Sequence, residues 1–258
     1  MRRPSIRLLV VQNDEDKPLG RIAEALAAEG AEFEVRMPSS DLPAVAAYDG
    51  LIVLAGLADP DDDDPAVHRA RAAITEALGR AAPVLGICLG GQLLAQVLGG
   101  TTYRCREELG YHEVEATEAA RDDPLLRDAP PRFTTFHAHV YAFRPPPGAV
   151  VLLSNDVCVQ ACRIGERAWA FQCHPEPTIS WVEALARGVR GRTDEVDPRT
   201  AAFFRGAGID PDALEADVRR ADETAQRLAL GIAHGFAGQC RATLASRTPR
   251  RTSSSPLV

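Results

Sequence analysis

Short apolar runs and helix-spaced apolar residues take turns along the first hundred residues. Ile6 to Val11 is apolar apart from Arg7, a length and pattern suited to a strand buried on both faces. Ile22, Ala25, Leu26 and Ala28 then recur at near-helical spacing after Leu19, and Gly30 stops them. Phe33-Glu34-Val35 and Leu51 to Ala55 are further strand-like runs, the second entering Gly56. Asp64-Pro65 supplies an N-cap and a proline at the first helical position, which predicts a helix to about Leu78. Pro83 to Ile87 is a fourth apolar run with a sharp turn at Cys88, and Leu93, Leu94, Val97 and Leu98 mark the helix after it. This alternation predicts an α/β fold with a parallel sheet covered by helices on both faces.

The middle of the chain changes character. Segments near 111–117, 132–136, 149–153, 157–163 and 167–173 are short, β-rich and separated by turns such as Pro145-Pro146-Pro147-Gly148. They predict an antiparallel extension of the sheet. From about 191 the pattern is helical again, and Leu214, Val218, Ala221, Ala225, Leu228 and Ile232 form one apolar stripe after Asp210-Pro211. The tail from Arg247 is polar, Ser-rich and expected to be disordered.

Composition narrows the possibilities. With 258 residues, 45 % hydrophobic and 25 % charged, the chain is of ordinary globular make-up. A net charge of -7 argues against a nucleic-acid binder, which needs a basic stripe. No apolar run reaches the roughly 18–20 residues that span a bilayer. Met1-Arg2-Arg3 before the first apolar run imitates a signal peptide only faintly, so a cytoplasmic location is expected. The six cysteines (88, 105, 158, 162, 173 and 240) lack the dense framework of a small secreted protein, and most are expected to be buried thiols. Asp61 to Asp64 reads as a solvated run leading into a helix cap, and Cys158, Cys162 and Cys173 lack paired zinc spacing. No metal or cofactor is expected.

One cysteine has a different setting. Val84-Leu85-Gly86-Ile87-Cys88-Leu89-Gly90-Gly91-Gln92-Leu93-Leu94 places Cys88 between a strand and a helix, with glycine two residues before and two after. A nucleophile on a tight strand-to-helix turn needs such small neighbours. The helix N-terminus beside it favours a thiolate. The second element is Phe171-Gln172-Cys173-His174-Pro175-Glu176-Pro177. A proline after His174 and another after Glu176 push both residues towards extended backbone, where side chains two apart share a side. Glu176 can then orient the His174 ring, giving the base-plus-orienter pair that a cysteine nucleophile requires.

These two motifs resemble those of the class I (triad) glutamine amidotransferases. The resemblance continues through Glu108-Leu109-Gly110-Tyr111-His112-Glu113-Val114, Phe136-His137-Ala138-His139 and Gln160-Ala161-Cys162-Arg163-Ile164-Gly165, and so covers roughly residues 5–185. It is similar in particular to free-standing members akin to the amidotransferase domain of GMP synthase. It implies a doubly wound, mostly parallel, flavodoxin-like sheet with an antiparallel β extension and a C-terminal helical appendage. The implied organisation is an amidotransferase domain at 1–190, a helical extension at 191–246 and a disordered tail at 247–258.

By the resemblance, Cys88 attacks the γ-amide carbon of L-glutamine, His174 is the general base and then acid, and Glu176 fixes the ring. The oxyanion hole is assigned to the backbone N–H groups of Leu89 and Gly56, although many relatives have Gly-Gly-Pro where this chain has Ala55-Gly56-Leu57. Gln92, His137, Ala138 and His139 are assigned to substrate binding, with His139 standing where relatives commonly have aspartate. The stretch after residue 190 is too short and too helical for an ATP-dependent synthase, so a separate ammonia-accepting partner is expected. The same triad would serve a self-sufficient γ-glutamyl hydrolase or peptidase, because only the leaving amine differs. A catalytically silent scaffold is the third reading.

Overall fold

The structure is a computed structural model that describes residues 4–247. Its β1 (Ile6–Val11) shows why the first apolar run is continuous. Ile6, Leu8 and Val10 enter one apolar cluster, while Leu9 and Val11 enter another on the opposite face. The remaining elements in order are α1 (Gly20–Ala28), β2 (Ala31–Arg36), β3 (Gly50–Val53), α2 (Pro65–Gly79), β4 (Val84–Ile87) and α3 (Leu89–Val97). There follow β5 (Thr101–Ala116), β6 (Arg132–Arg144), β7 (Val150–Ser154), β8 (Val159–Ile164) and β9 (Ala168–Phe171). Three helices, α4 (Ile179–Val189), α5 (Pro198–Gly206) and α6 (Pro211–Arg247), complete the described chain.

Among the described residues the strands form one nine-stranded sheet in the order β2-β1-β3-β4-β9-β8-β7-β5-β6. The first five are parallel neighbours, and from β9 onward every pairing is antiparallel. The doubly wound half and its antiparallel extension are thus those predicted. Two strands run further than the hydrophobic pattern indicates. β5 begins at Thr101 and β6 continues to Arg144, each pairing the other along most of its length with a bulge between Arg104 and Glu108. The first half of β5 is mostly exposed and therefore carries no apolar alternation to read.

Helices cover both faces. Ile74, Leu93 and Leu94 of α2 and α3 close one side; Ile22 and Leu26 of α1, with Leu228, Ile232 and Phe236 of α6, close the other. Asp64 caps α2 as predicted, accepting a hydrogen bond from the Ala66 N–H. The stripe through Ile232 belongs to one long helix. α6 has 37 residues, and its first turns join α4 and α5 in a third cluster around Phe204, Leu214 and Val218. Arg247, expected to open the tail, ends this helix, and 248–258 lie outside the described residues.

Candidate active site

The carboxyl ends of β3, β4 and β9 converge, and Cys88 sits where β4 turns into α3. Its backbone is at φ 52° and ψ −111°, a left-handed-side conformation that only a strongly constrained non-glycine residue adopts. The constraint is visible. The Cys88 N–H donates to the Phe171 carbonyl at 2.8 Å, tying the turn to the end of β9. A Cβ on Gly90 would stand 2.0 Å from the Val53 carbonyl oxygen, and one on Gly91 would stand 2.4 Å from the Phe171 carbonyl oxygen. The helix start is pressed against two strand ends, and only glycine fits between them.

His174 follows β9, and backbone bonds fix its main chain. Its N–H donates to the Phe136 carbonyl at 2.8 Å, and the Thr135 hydroxyl donates to its carbonyl at 3.2 Å. The Phe136 ring meets the imidazole edge-on, with centroids 5.9 Å apart. Nδ1 lies 2.7 Å from Oε1 of Glu176, as the extended His-Pro-Glu-Pro string predicts. Nε2 is buried and makes no hydrogen bond of ordinary length, although the Cys88 sulfur is near enough to act on it. Burial works against a charge on this ring, but the Glu176 carboxylate and the sulfur of Cys88 outweigh it and raise its pKa to about 10. Replacing Glu176 by glutamine removes a raising influence and leaves burial acting against the charge. The ring should then lose its proton at a pH lower by at least about one unit. An NMR titration of the His174 ring tests this, and an unmoved midpoint would show that the carboxylate does not hold the proton.

The other five cysteines are unsuited to nucleophilic work. Burial pushes the thiols of Cys105 and Cys162 up to about 11 and about 12, and those of Cys158, Cys173 and Cys240 higher still.

Cys88 borders two cavities. One, of about 330 Å³, is lined by Asp59, Gln92, His139, Tyr141 and Arg199 together with the Gly56-Leu57 loop. Gln92 commits its side-chain N–H groups to the Tyr141 carbonyl at 3.0 Å and to Oε1 of Gln172 at 3.2 Å, leaving its own oxygen to offer a ligand. The other cavity, of about 100 Å³, lies on the side of His174 and Glu176 and is walled by Phe136, Trp181, Phe203 and Phe204. Ala138 lines both.

Gly56 and Leu89 are adjacent in space, since a Cβ on Gly56 would meet the Leu89 side chain at 2.8 Å. The loop carrying Gly56 is shaped by residues that the sequence motifs do not single out. Asn13 donates to the Leu54 carbonyl at 2.6 Å, and the Asp14 carboxylate accepts from the Leu57 N–H at 2.6 Å. Burial raises the pKa of Asp14. Arg21 lies outside the motifs too. Its N–H donates to the Glu176 carbonyl at 2.9 Å, and its guanidinium binds the Pro177 carbonyl at 2.8 Å.

His137 is placed differently from a substrate contact. It is fully buried, borders neither cavity, and stands behind Ala138 with His139 and Glu108. Oε2 of Glu108 is 3.2 Å from Nε2 of His139 and 3.7 Å from Nδ1 of His137. Asn155 and Gln160 donate to the same carboxylate at 2.6 and 2.7 Å. Burial tends to raise Glu108, but the His139 bond, the two imidazoles and Asn155 bring it below the ordinary range; burial lowers both imidazoles. Among the described residues, Glu108, His137 and His139 are the group whose ligand atoms converge closely enough for a cation. The amide donors already satisfy the carboxylate without one. His139 turns one nitrogen to Glu108 and the other to Cys105 at 3.7 Å, so its ring borders the larger cavity with both nitrogens engaged.

Comparison with known proteins bears on the family and the fold. The family model for class-I glutamine amidotransferases matches residues 11–182. A glutamine amidotransferase-like protein of Salmonella typhimurium, YfeJ, is 31% identical over 138 residues, which are 51% of this chain and 55% of that protein. The glutamine-hydrolysing GMP synthase of Aeropyrum pernix is 39% identical over 112 residues, 42% of this chain and 21% of that one. The chain thus spans about half or less of the length of these relatives. One subunit of the glutamine-hydrolysing GMP synthase of Methanococcus vannielii is 26% identical over 174 residues, 66% of this chain and 87% of that protein. A glutamine amidotransferase structure from Methylobacillus flagellatus shares the fold, with TM-score 0.78, 24% identity, and coverage of 92% of this chain and 96% of that one.

Proposed function

The chain belongs to the class-I glutamine amidotransferase family, and from that premise we propose that it cleaves the γ-amide of glutamine through a thioester on Cys88. The observation that carries the proposal is one cavity edge shared by Cys88, His174 and Glu176, with the His174 ring oriented by Glu176 at 2.7 Å. The sulfur attacks the γ-carbonyl carbon, and the N–H groups of Leu89 and Gly56 receive the oxyanion. His174 gives its proton to the departing nitrogen as the C–N bond breaks. A water then loses a proton to His174, attacks the thioester and releases glutamate. Gln92, Ala138 and His139 shape the acyl side of the site. His137 acts behind them through Glu108.

That one relative is a separate subunit of a GMP synthase supports a separate synthase that consumes the ammonia. A self-sufficient γ-glutamyl hydrolase is favoured by a different observation, the aromatic cavity on the His174 side. The six cysteines are free, in keeping with a cytoplasmic protein. Among the described residues no helix is long and apolar enough to cross a membrane.

An electrophilic glutamine analogue should label the purified protein once, at Cys88, in step with loss of glutamate release. Glutamine alone should be hydrolysed, faster when the cognate ATP-dependent ligase is added if ammonia is handed on. Stoichiometric labelling at any other cysteine, with Cys88 untouched, would refute the assignment.

A further inference from the structure

The two cavities flanking Cys88 differ in a way that assigns them to the two halves of a γ-glutamyl amide. His174 borders only the aromatic one. A general acid must face the atom it protonates, and in amide cleavage that atom is the departing nitrogen. The leaving group therefore exits into the lobe of Phe136, Trp181, Phe203 and Phe204. The acyl half then lies in the larger lobe, where Arg199 and Asp59 can face an α-carboxylate and an α-amino group, and Gln92 offers an oxygen.

Size and polarity decide what the leaving group is. A water-sized molecule such as ammonia needs roughly 10–15 Å³ of cavity measured with a water-sized probe. The leaving-group lobe offers about 100 Å³. An apolar cavity only moderately larger, about 150 Å³, holds benzene. Four aromatic rings make much of the lobe's wall, and the donors that also line it are engaged elsewhere: Lys17 binds Asp16 and the Thr200 hydroxyl, Thr200 also reaches Asp16, and the Thr178 hydroxyl pairs with Ser180. Phe136 stacks on Phe204 at 5.9 Å with planes 9° apart, and meets Trp181 edge-on at 5.7 Å. Phe203 and Phe204 come from α5, so the chain builds this wall itself.

We infer that this lobe is a subsite for an apolar amine, so that the γ-glutamyl amides of short alkyl and arylmethyl primary amines are substrates of the Cys88 site. The inference rests on the proposed thioester chemistry and names the substrate class for it. The atoms balance within the same steps. The thiolate forms the C–S bond, the C–N bond breaks, and His174 protonates the nitrogen to free RNH2. Water then divides between glutamate and the regenerated sulfur and imidazolium.

Burial of each methylene of the amine should raise kcat/KM about fourfold over glutamine, provided it enters the lobe. The experiment compares L-glutamine with γ-glutamyl methylamide, butylamide and benzylamide on the full chain. The expected result is a rising series, with benzylamide at least about tenfold above glutamine. Trp181→Leu should cut the benzylamide-to-glutamine ratio at least about fivefold, and the ratio cancels any loss of folded enzyme. Glutamine turnover with benzylamide less than about tenfold above it, or a ratio unmoved in Trp181→Leu, overturns the subsite while leaving the thioester chemistry standing. If no γ-glutamyl compound acylates Cys88, both fall together.

Discussion

Cys88→Ala should abolish glutamate release, by at least about 10⁴-fold, while leaving the secondary structure and melting temperature close to those of the native chain. The size of the loss follows from what the site would lack. Without sulfur there is no thioester, and the remaining oxyanion donors and binding groups can only assist direct attack by water, which accounts for roughly 10³–10⁴ over solution in comparable triads. The small effect on folding follows from the position. Cys88 is buried, yet it spends its sulfur on two long contacts, 4.0 Å to the Ala138 carbonyl and 3.8 Å from the Gln172 amide. Alanine retains the Cβ that this backbone already accommodates. Kinetics with circular dichroism on the same sample check both halves. Residual turnover within about tenfold of the native enzyme would remove Cys88 from the mechanism.

Gly90→Ala should be the more destructive change, although it touches no reacting atom. The added carbon would lie 2.0 Å from the Val53 carbonyl oxygen and 2.6 Å from its carbon. Neither side can retreat. Val53 ends a central strand paired with both β1 and β4, and Gly90 is in the first turn of α3 directly after Cys88. A methyl overlapping fixed backbone on both sides is expected to remove more than about 4 kcal/mol, enough to unfold a marginal domain. Gly79→Ala provides the contrast. It lies at the end of α2 with open space where its Cβ would go, and should change stability by no more than about 1 kcal/mol. Chemical denaturation of the two variants compares them directly. A Gly90→Ala protein as stable as Gly79→Ala would mean that α3 is not seated on the end of β3.

The legibility of this chain depends on how each feature is encoded. The parallel half is readable because its strands are buried on both faces and its helices on one, so periodicity separates them. The Cys88 turn is readable because steric exclusion leaves glycine in the sequence itself. The early part of β5 is not. Thr101 to Glu107 is largely exposed and owes its extended form to backbone pairing with β6, which leaves no mark on residue type. α4 also escapes the pattern, since its Ile179 to Val189 precedes the helical stretch expected from 191. Asn13 and Asp14 are hidden for another reason. Their partners, Leu54 and Leu57, are about forty residues away, and the groups they bind are backbone, which every sequence contains. The His137–Glu108 pair shows the same limit. Both residues stand in recognised motifs, yet only the pairing of β5 with β6 reveals that they face each other rather than a ligand.

Arg21 has a reach that its place on a short helix conceals. Its guanidinium binds the Pro177 carbonyl just past Glu176 and, on its other side, Asp222 of α6 at 2.6 Å. The segment that orients the His174 imidazole is therefore moored to a helix whose later turns close one face of the sheet. A change at Asp222, on the far side of Arg21, is thereby linked to the placement of the His174–Glu176 segment.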